Sequence, residues 1–328
     1  MTTSSQASNT LKPWFLGFDI GGTKTAVILG RGIETVVVRR SFPTNEWASP
    51  SEALTALEAS ANELLRSNDL KREHLGAIGI SCGGPLNPQQ GIIKSPPNLP
   101  GWDEVKIVDW AQRTFACPAA LRNDADACAL AEWRLGAGRG CRHMVFLTYG
   151  TGMGAGLIIN GALYTGANGC AGEVGHLRLA SKGPVGFGKA GSFEGFCSGG
   201  GIARLAQLRA KEQGIGPRIG ENCKYVSAKA IFKAAETGDT FAQAIVRESS
   251  EKLGQALALL VDTLNPERII LGSIFARAEL QIRGHMESSL QAEALSSNVQ
   301  ACCIMPAELG EALGDHAALC IANEALNL

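Results

Sequence analysis

The chain alternates short apolar runs, glycine turns and longer amphipathic stretches. Trp14 to Ile20 is apolar, Gly21-Gly22-Thr23-Lys24 follows, and Thr25 to Leu29 is apolar again. Two such runs about a Gly-Gly turn predict a β-hairpin, which Thr35 to Arg39 extends. Ser51 to Leu65 carries Leu54, Leu57, Ala61 and Leu65 along one helical face, with serine available as a cap. Leu75 to Ser81 predicts a buried strand ending at Gly83-Gly84-Pro85. Val105 to Phe115 predicts a helix, Ala119 to Arg122 a short strand and Ala125 to Leu135 a helix. From His143 the pattern starts over: an apolar run to Thr148, the turn Gly150-Thr151-Gly152-Met153-Gly154, and a second apolar run from Ala155 to Ile159. This reads as a duplication of the opening hairpin. Helices are then predicted over Gly201 to Gln213, Ala228 to Glu236 and Phe241 to Leu264. A strand over Arg268 to Leu271 ends at Gly272, and Asp315 to Leu326 closes the chain as a helix.

Composition narrows the class. At roughly 100–200 residues per domain, 328 residues predict two domains. The 45% apolar and 19% charged content fits a globular protein, and 40 glycines point to many tight turns or close backbone approaches. Thirty basic against 31 acidic residues leave a net charge of −1, which argues against nucleic acid as a partner. Ten cysteines without a C-x-x-C pair read as scattered thiols of a reducing cytoplasm. The segment MTTSSQASNT lacks the charged and apolar regions of a signal peptide and reads, with the two residues after it, as a disordered tail. The apolar stretch Leu253 to Leu264 is broken by Gly254, Gln255 and Asp262, so no membrane span is expected.

Several stretches carry candidate chemistry. GPVGFGKAGSFEGF, Gly183 to Phe196, has the G-x-x-x-x-G-K spacing of a phosphate loop. Ala190 stands where the Mg²⁺-binding hydroxyl is required, and no apolar strand leads in. DIGGTK is the stronger phosphate candidate: Gly21 and Gly22 admit close approach to backbone N–H groups, Thr23 adds a hydroxyl and Lys24 a charge. Asp19 could hold a hydrated Mg²⁺. The turn Gly150 to Gly154 is followed by a β-branched run rather than a helix, against a dinucleotide fingerprint. Asp124, after Asn123 at a strand-to-helix junction, reads either as a helix cap or as a general base. Glu173 and His176 in GEVGH, together with Glu194, suit a polyhydroxylated ligand, since carboxylates accept paired hydroxyls and imidazole can donate or accept. Asn98 adds an amide in a Pro-bracketed loop whose Trp102 reads as a packing anchor.

DIGGTK, SCGGPL, SPPNLPGW, NDADACALAEW, YGTGMGAG, GANGCAGEVGH and ILGS occur here in that order, and together they resemble the ROK family (repressors, open reading frames and kinases) of bacterial sugar kinases. The resemblance runs from about Phe15 to Ala325. It implies an α/β protein of the actin-like ATPase (ribonuclease H-like) fold, with ATP and sugar in a cleft between two domains. These would be residues 13–124 with the C-terminal helix 312–328, and residues 125–311. It implies Asp124 as the general base. Gly84, Asn98, Asn123, Glu173, His176 and Glu194 would hold the hexose. Asp19, Gly21, Gly22, Thr23, Lys24, Gly150, Thr151, Gly152 and Gly154 would hold phosphates and Mg²⁺, and Gly272 would lie near the adenosine. Relatives of this kind are commonly homodimers. The family's zinc loop, C-x-C-G-x-x-G-C-x-E with a nearby His, falls on Val185 to Glu194 with its three cysteine positions replaced by Val185, Phe187 and Ser192. Only His176 of four ligands remains, so no zinc is expected. Phe187 is expected to pack where the metal would tie the loop, and Lys189 to be a surface residue. The residues before the first strand are too few for the helix-turn-helix of the family's repressors. A non-catalytic sugar-binding protein on the same fold is the alternative.

Overall fold

The computed structural model describes residues 13–214 and 227–327; the tail expected over residues 1–12 lies outside the described residues. The chain divides into two compact units, with boundaries between Ala127 and Cys128 and again between Leu313 and Gly314.

The first unit is built on strands β1 (Trp14–Ile20), β2 (Lys24–Arg31), β3 (Thr35–Pro43) and β4 (Leu75–Cys82), the short pair β5 (Leu86–Asn87) and β6 (Ile92–Ile93), and β7 (Ala119–Asn123). Helices α1 (Pro50–Ser67) and α2 (Ile107–Phe115) lie between them. Its main sheet has the order β3-β2-β1-β4-β7, with β1, β2 and β3 antiparallel and β1, β4 and β7 parallel. The α1 end matches the cap signal: Ser49 Oγ accepts from the Glu52 N–H and the Glu52 carboxylate reaches back to the Ala48 N–H, with Pro50 in the first turn. The helix expected from Val105 starts only at Ile107, because Val105 exchanges two 3.0 Å backbone hydrogen bonds with Ile93. Leu16, Phe18, Ile20, Ile78, Ile80 and Leu121 face the core, each contributing about 1.5–3 kcal/mol by burial. Trp102, buried among them, is a packing residue as expected.

Helix α3 (Asp124–Leu135) begins at the end of β7. The second unit then repeats the first unit's sheet. Strands β8 (Met144–Leu147), β9 (Ala155–Ile159) and β10 (Ala162–Tyr164) are antiparallel neighbours, and β13 (Arg268–Leu271) and β14 (Cys303–Pro306) add in parallel to β8. The order β10-β9-β8-β13-β14 matches that of the first sheet, so the duplication seen in the two glycine hairpins extends to the whole sheet. Between β10 and β13 lie the two-residue strands β11 (Val185–Gly186) and β12 (Lys189–Ala190) and helices α4 (Phe193–Cys197), α5 (Gly199–Glu212), α6 (Ala228–Glu236) and α7 (Thr240–Leu264). Helices α8 (Ser273–Glu293) and α9 (Ser296–Ala301) have no counterpart in the sequence reading. A non-helical Ala278, an internal Gly284 and a 98% exposed Leu280 interrupt the apolar stripe of α8.

The chain ends in α10 (Leu313–Leu326), which packs flat on the first sheet. Glycines permit this. A Cβ at Gly79 would overlap the Ala318 carbonyl, and one at Gly17 would lie 2.8 Å from the Ala318 Cβ. This close packing brings the start of α10 to the end of β1, where Asp19 sits.

Candidate active site

In the first unit, β1, β4 and β7 all end at one edge of the sheet, the edge at which open α/β sheets place ligands. The register pairs Asp19 with Ser81 and Cys82 with Asn123. Asp124 follows Asn123 directly. The start of α10 adds Gly314, whose added Cβ would lie 2.8 Å from Asp19 Oδ2, and Asp315, whose Oδ1 accepts from Arg39 Nε at 2.7 Å. Three carboxylates and one guanidinium therefore share a small region. Burial pushes the Asp19 carboxyl up, and Asp124 and Asp315 push it further. Arg39 and a hydrogen bond from Ser81 pull it back, leaving it at about 6. Cys82, beneath the two carboxylates, is held protonated by burial and by their charge.

Asp124 is exposed, and the protein atoms gathered around it weaken its hydration enough to raise its carboxyl. The N–H of Ala125 pulls the other way. The capping question resolves locally. Asn123 Oδ1 accepts from the Ala125 N–H at 2.9 Å, the bond an N-cap side chain makes to the N–H two residues on. Asp124 Oδ1 reaches the same N–H at 2.9 Å from within the helix. Asn123 thus supplies the ordinary cap acceptor. Its Nδ2 lies 3.4 Å from where a Gly84 Cβ would be, so the glycine keeps that amide clear.

The first turn is pinned by its own backbone and by Thr44. Gly21 N donates to Lys24 O at 3.0 Å, Thr44 Oγ1 donates to Gly21 O at 2.6 Å, and Thr44 N donates to Thr23 O at 3.0 Å. The Gly22 and Thr23 N–H groups are left without a protein acceptor among the described residues. Thr23 and Lys24 are exposed. A Cβ at Gly22 would overlap the Asn98 Cβ, so this glycine lets the Asn98 loop pack on the turn.

In the second unit the turn after β8 has the same property. Gly150 N donates to Gly152 O at 3.1 Å, Gly154 N to Thr148 Oγ1 at 3.0 Å and Met153 N to Glu194 Oε2 at 3.2 Å. The Thr151 and Gly152 N–H groups are the two left without a protein acceptor among the described residues. Tyr149, wholly buried at a left-handed φ of 36°, sets the chain into the turn. Gly272, at the end of β13, lies against the Thr148 carbonyl, where any side chain would overlap it.

Glu173 is exposed at the start of a 3-10 turn, Val174–His176. Gly175 in that turn packs against Met153 O, and a Cβ there would lie 3.4 Å from the Glu194 Cβ. The Val174–His176 turn, the Met153 backbone and Glu194 are therefore neighbours. Glu194 rides on α4, whose cap is Ser192: its Oγ accepts from Gly195 N at 3.1 Å. Gly188 lies at the tip of the β11–β12 hairpin rather than between a strand and a helix, so the phosphate-loop spacing here has no phosphate-loop structure. Lys189 is half-buried, and its Nζ donates to His176 O at 2.8 Å. At the three positions where a zinc loop has cysteine, Val185 and Phe187 are exposed and the Ser192 hydroxyl is buried. Cys197 turns into the core, its Sγ donating to Ser249 O at 3.4 Å, while Cys170 is exposed.

A model of the ROK family matches residues 15–325. The chain belongs to the ROK family. Among its ROK relatives, the glucokinase of Halalkalibacterium halodurans is 32% identical over 269 residues, 81% of each chain. The N-acetylmannosamine kinase of Escherichia fergusonii is 32% identical over 80% of this chain and 84% of its own. A ROK family glucokinase from Streptomyces griseus, solved in complex with glucose and AMPPNP, superimposes with a TM-score of 0.75 at 26% identity, covering 95% of this chain and 99% of that one. The two duplicated α/β units thus have the actin-like ATPase fold of ROK kinases.

Asp315 and Arg39 escaped the sequence reading. The available signal was an acid in the first turn of an otherwise apolar helix, and its meaning depends on where that helix docks.

Proposed function

We propose that this ROK sugar kinase transfers the γ-phosphoryl group of ATP to a hydroxyl, most simply the 6-OH, of glucose or a related hexose, with Asp124 as general base. The observation that carries the reading is an exposed carboxylate, Asp124, at the sheet edge where, among the described residues, the Gly22 and Thr23 N–H groups also lack a protein acceptor.

Asp124 takes the proton of the sugar hydroxyl, the oxygen attacks the γ-phosphorus in line, and ADP leaves. Such a transition state asks mainly for positioning and charge stabilisation. The free N–H pairs of the two glycine turns, the Thr23 hydroxyl and Lys24 take the phosphate oxygens, and Gly272 lies near the adenosine. Asn98, Asn123, Glu173, His176, Glu194 and the backbone at Gly84 hold the sugar. With Oε2 of Glu194 on the Met153 N–H, Oε1 is left for a sugar hydroxyl. The carboxylate surroundings of Asp19 fit a hard divalent cation, since they offer oxygen donors and a surplus of negative charge. Asp19 would hold Mg²⁺ through water, and the ion would offset phosphate charge.

The enzyme works, on this reading, as a cytoplasmic homodimer without a nucleic-acid or membrane partner. No described helix is long and apolar enough to cross a membrane. ADP release measured over glucose, mannose, fructose, allose and the N-acetylated hexosamines should rise with at least one of them. Sugar binding without ADP release from any would instead favour a non-catalytic sugar-binding protein. The reading also excludes zinc: elemental analysis of protein purified without added metal should find far less than one zinc per chain, and about one would overturn that part.

A further inference from the structure

We infer that the β11–β12 hairpin is a brace for the His176 imidazole, with Phe187 and Lys189 as positioning residues for sugar binding. The inference rests on the reading that His176 meets the sugar.

Two residues of one small hairpin converge on His176. The Phe187 ring stands edge-on to the imidazole, with centroids 5.2 Å apart and planes at 74°. Lys189 Nζ donates to the His176 carbonyl at 2.8 Å. One contact limits rotation of the ring and the other fixes the backbone beneath it. Neither is accounted for by core packing. Phe187 is 67% exposed and sits at a left-handed φ of 47°, a conformation that a bulky side chain rarely adopts. An exposed aromatic ring in a strained backbone setting, whose ring partner is His176, points to a local task.

The hairpin itself is firmly held. Gly186 lies so close to α4 that a Cβ would come within 2.5 Å of Gly195 N and 2.8 Å of Ser192 Oγ. Arg178 Nη1 donates to Ala190 O at 2.7 Å, and Gly191 N donates to Pro184 O at 3.0 Å. The element that steadies His176 is therefore packed on the helix that carries Glu194. This fixes the imidazole relative to that carboxylate without a metal ion. Orientation matters because only one imidazole nitrogen at a time can face a given hydroxyl, and the tautomer decides whether it donates or accepts.

The test is a double-mutant cycle with His176→Ala and Phe187→Ala, read as sugar KM and kcat, together with the ¹H–¹³C resonance of the His176 imidazole. Phe187→Ala should raise the sugar KM about 3- to 10-fold, the range an edge-to-face aromatic contact supplies. Its kcat should stay within about twofold, as for a loss of uniform binding. Phe187→Trp should restore most of the KM. In the His176→Ala background Phe187→Ala should add nothing. Lys189→Met, which removes only the carbonyl contact, should shift KM in the same direction. The imidazole resonance should move in Phe187→Ala. If His176→Ala raises KM and Phe187→Ala does not, the brace is wrong and the site reading stands. If His176→Ala leaves KM unchanged, the site reading has failed at that residue. The resonance then decides the brace alone, and an unmoved peak in Phe187→Ala overturns it.

Discussion

Asp124→Asn is expected to lower kcat by about 10²- to 10⁴-fold, the usual contribution of a positioned general base, while sugar affinity stays near that of the parent and thermal stability at neutral pH is at least the parent's. The expectation of an intact fold comes from the junction between β7 and α3. Asn123 supplies the ordinary capping acceptor to the Ala125 N–H, and the shorter-range bond from Asp124 Oδ1 can be made equally by an asparagine oxygen. What the amide cannot do is take a proton from a sugar hydroxyl at neutral pH. The pH profile gives a second reading. The crowding around Asp124 raises its carboxyl, and a base works only when ionised. The acid limb of kcat/KM in the parent should therefore lie above the ordinary carboxylate range, and in the variant the share of it owed to Asp124 should be gone. ADP release assayed from pH 4.5 to 8, with sugar binding followed by calorimetry, checks both. Near-parental kcat in Asp124→Asn would reduce Asp124 to a structural residue.

The parts of this molecule that were legible in sequence are those specified by neighbours along the chain. Two apolar runs about Gly21-Gly22 and two about Gly150 to Gly154 announce hairpins, and the structure turns both into matching five-stranded sheets. The candidate residues at strand ends, Asp19, Asn123 and Asp124, were also legible. Parallel strands must end at a common edge, and polar residues at that edge are not needed for the core. The missed features depend on distant docking. Asp315 reaches Arg39 across 276 positions because glycines in β1 and β4 let α10 lie flat, and no local pattern reveals that. The contact that Lys189 makes gave no sign in the sequence because its acceptor is a backbone carbonyl in another turn. Helix α8 was missed for the opposite reason: its sequence lacks the clean apolar stripe that would announce it, and long contact with α7 holds it in place.

Asp19→Asn is expected to stabilise the protein at pH 7 while abolishing most of its activity. In the folded chain the Asp19 carboxyl is raised from 3.8 to about 6, first by burial and then by Asp124 and Asp315. The sign of the consequence follows from proton linkage. Below about pH 4 the carboxyl is protonated in both folded and unfolded chains and costs nothing. Between 4 and 6 the unfolded chain ionises first, so stability falls as pH rises. Above 6 the full cost is present, on the order of 2–3 kcal/mol, because each tenfold gain in proton affinity is worth about 1.36 kcal/mol. An asparagine can still accept the Ser81 hydroxyl and adds no charge beside Asp124 and Asp315. Its melting temperature should therefore exceed the parent's by several degrees at pH 7, and the gap should close as pH falls toward 4. Activity should move the other way, because a carboxylate kept among two others against its own stability is useful only if a cation resolves the crowding. In the parent, millimolar Mg²⁺ with nucleotide should raise the melting temperature more than in Asp19→Asn. A variant that melts at or below the parent at pH 7, or that keeps parental kcat, would remove Asp19 from the phosphate end of the site.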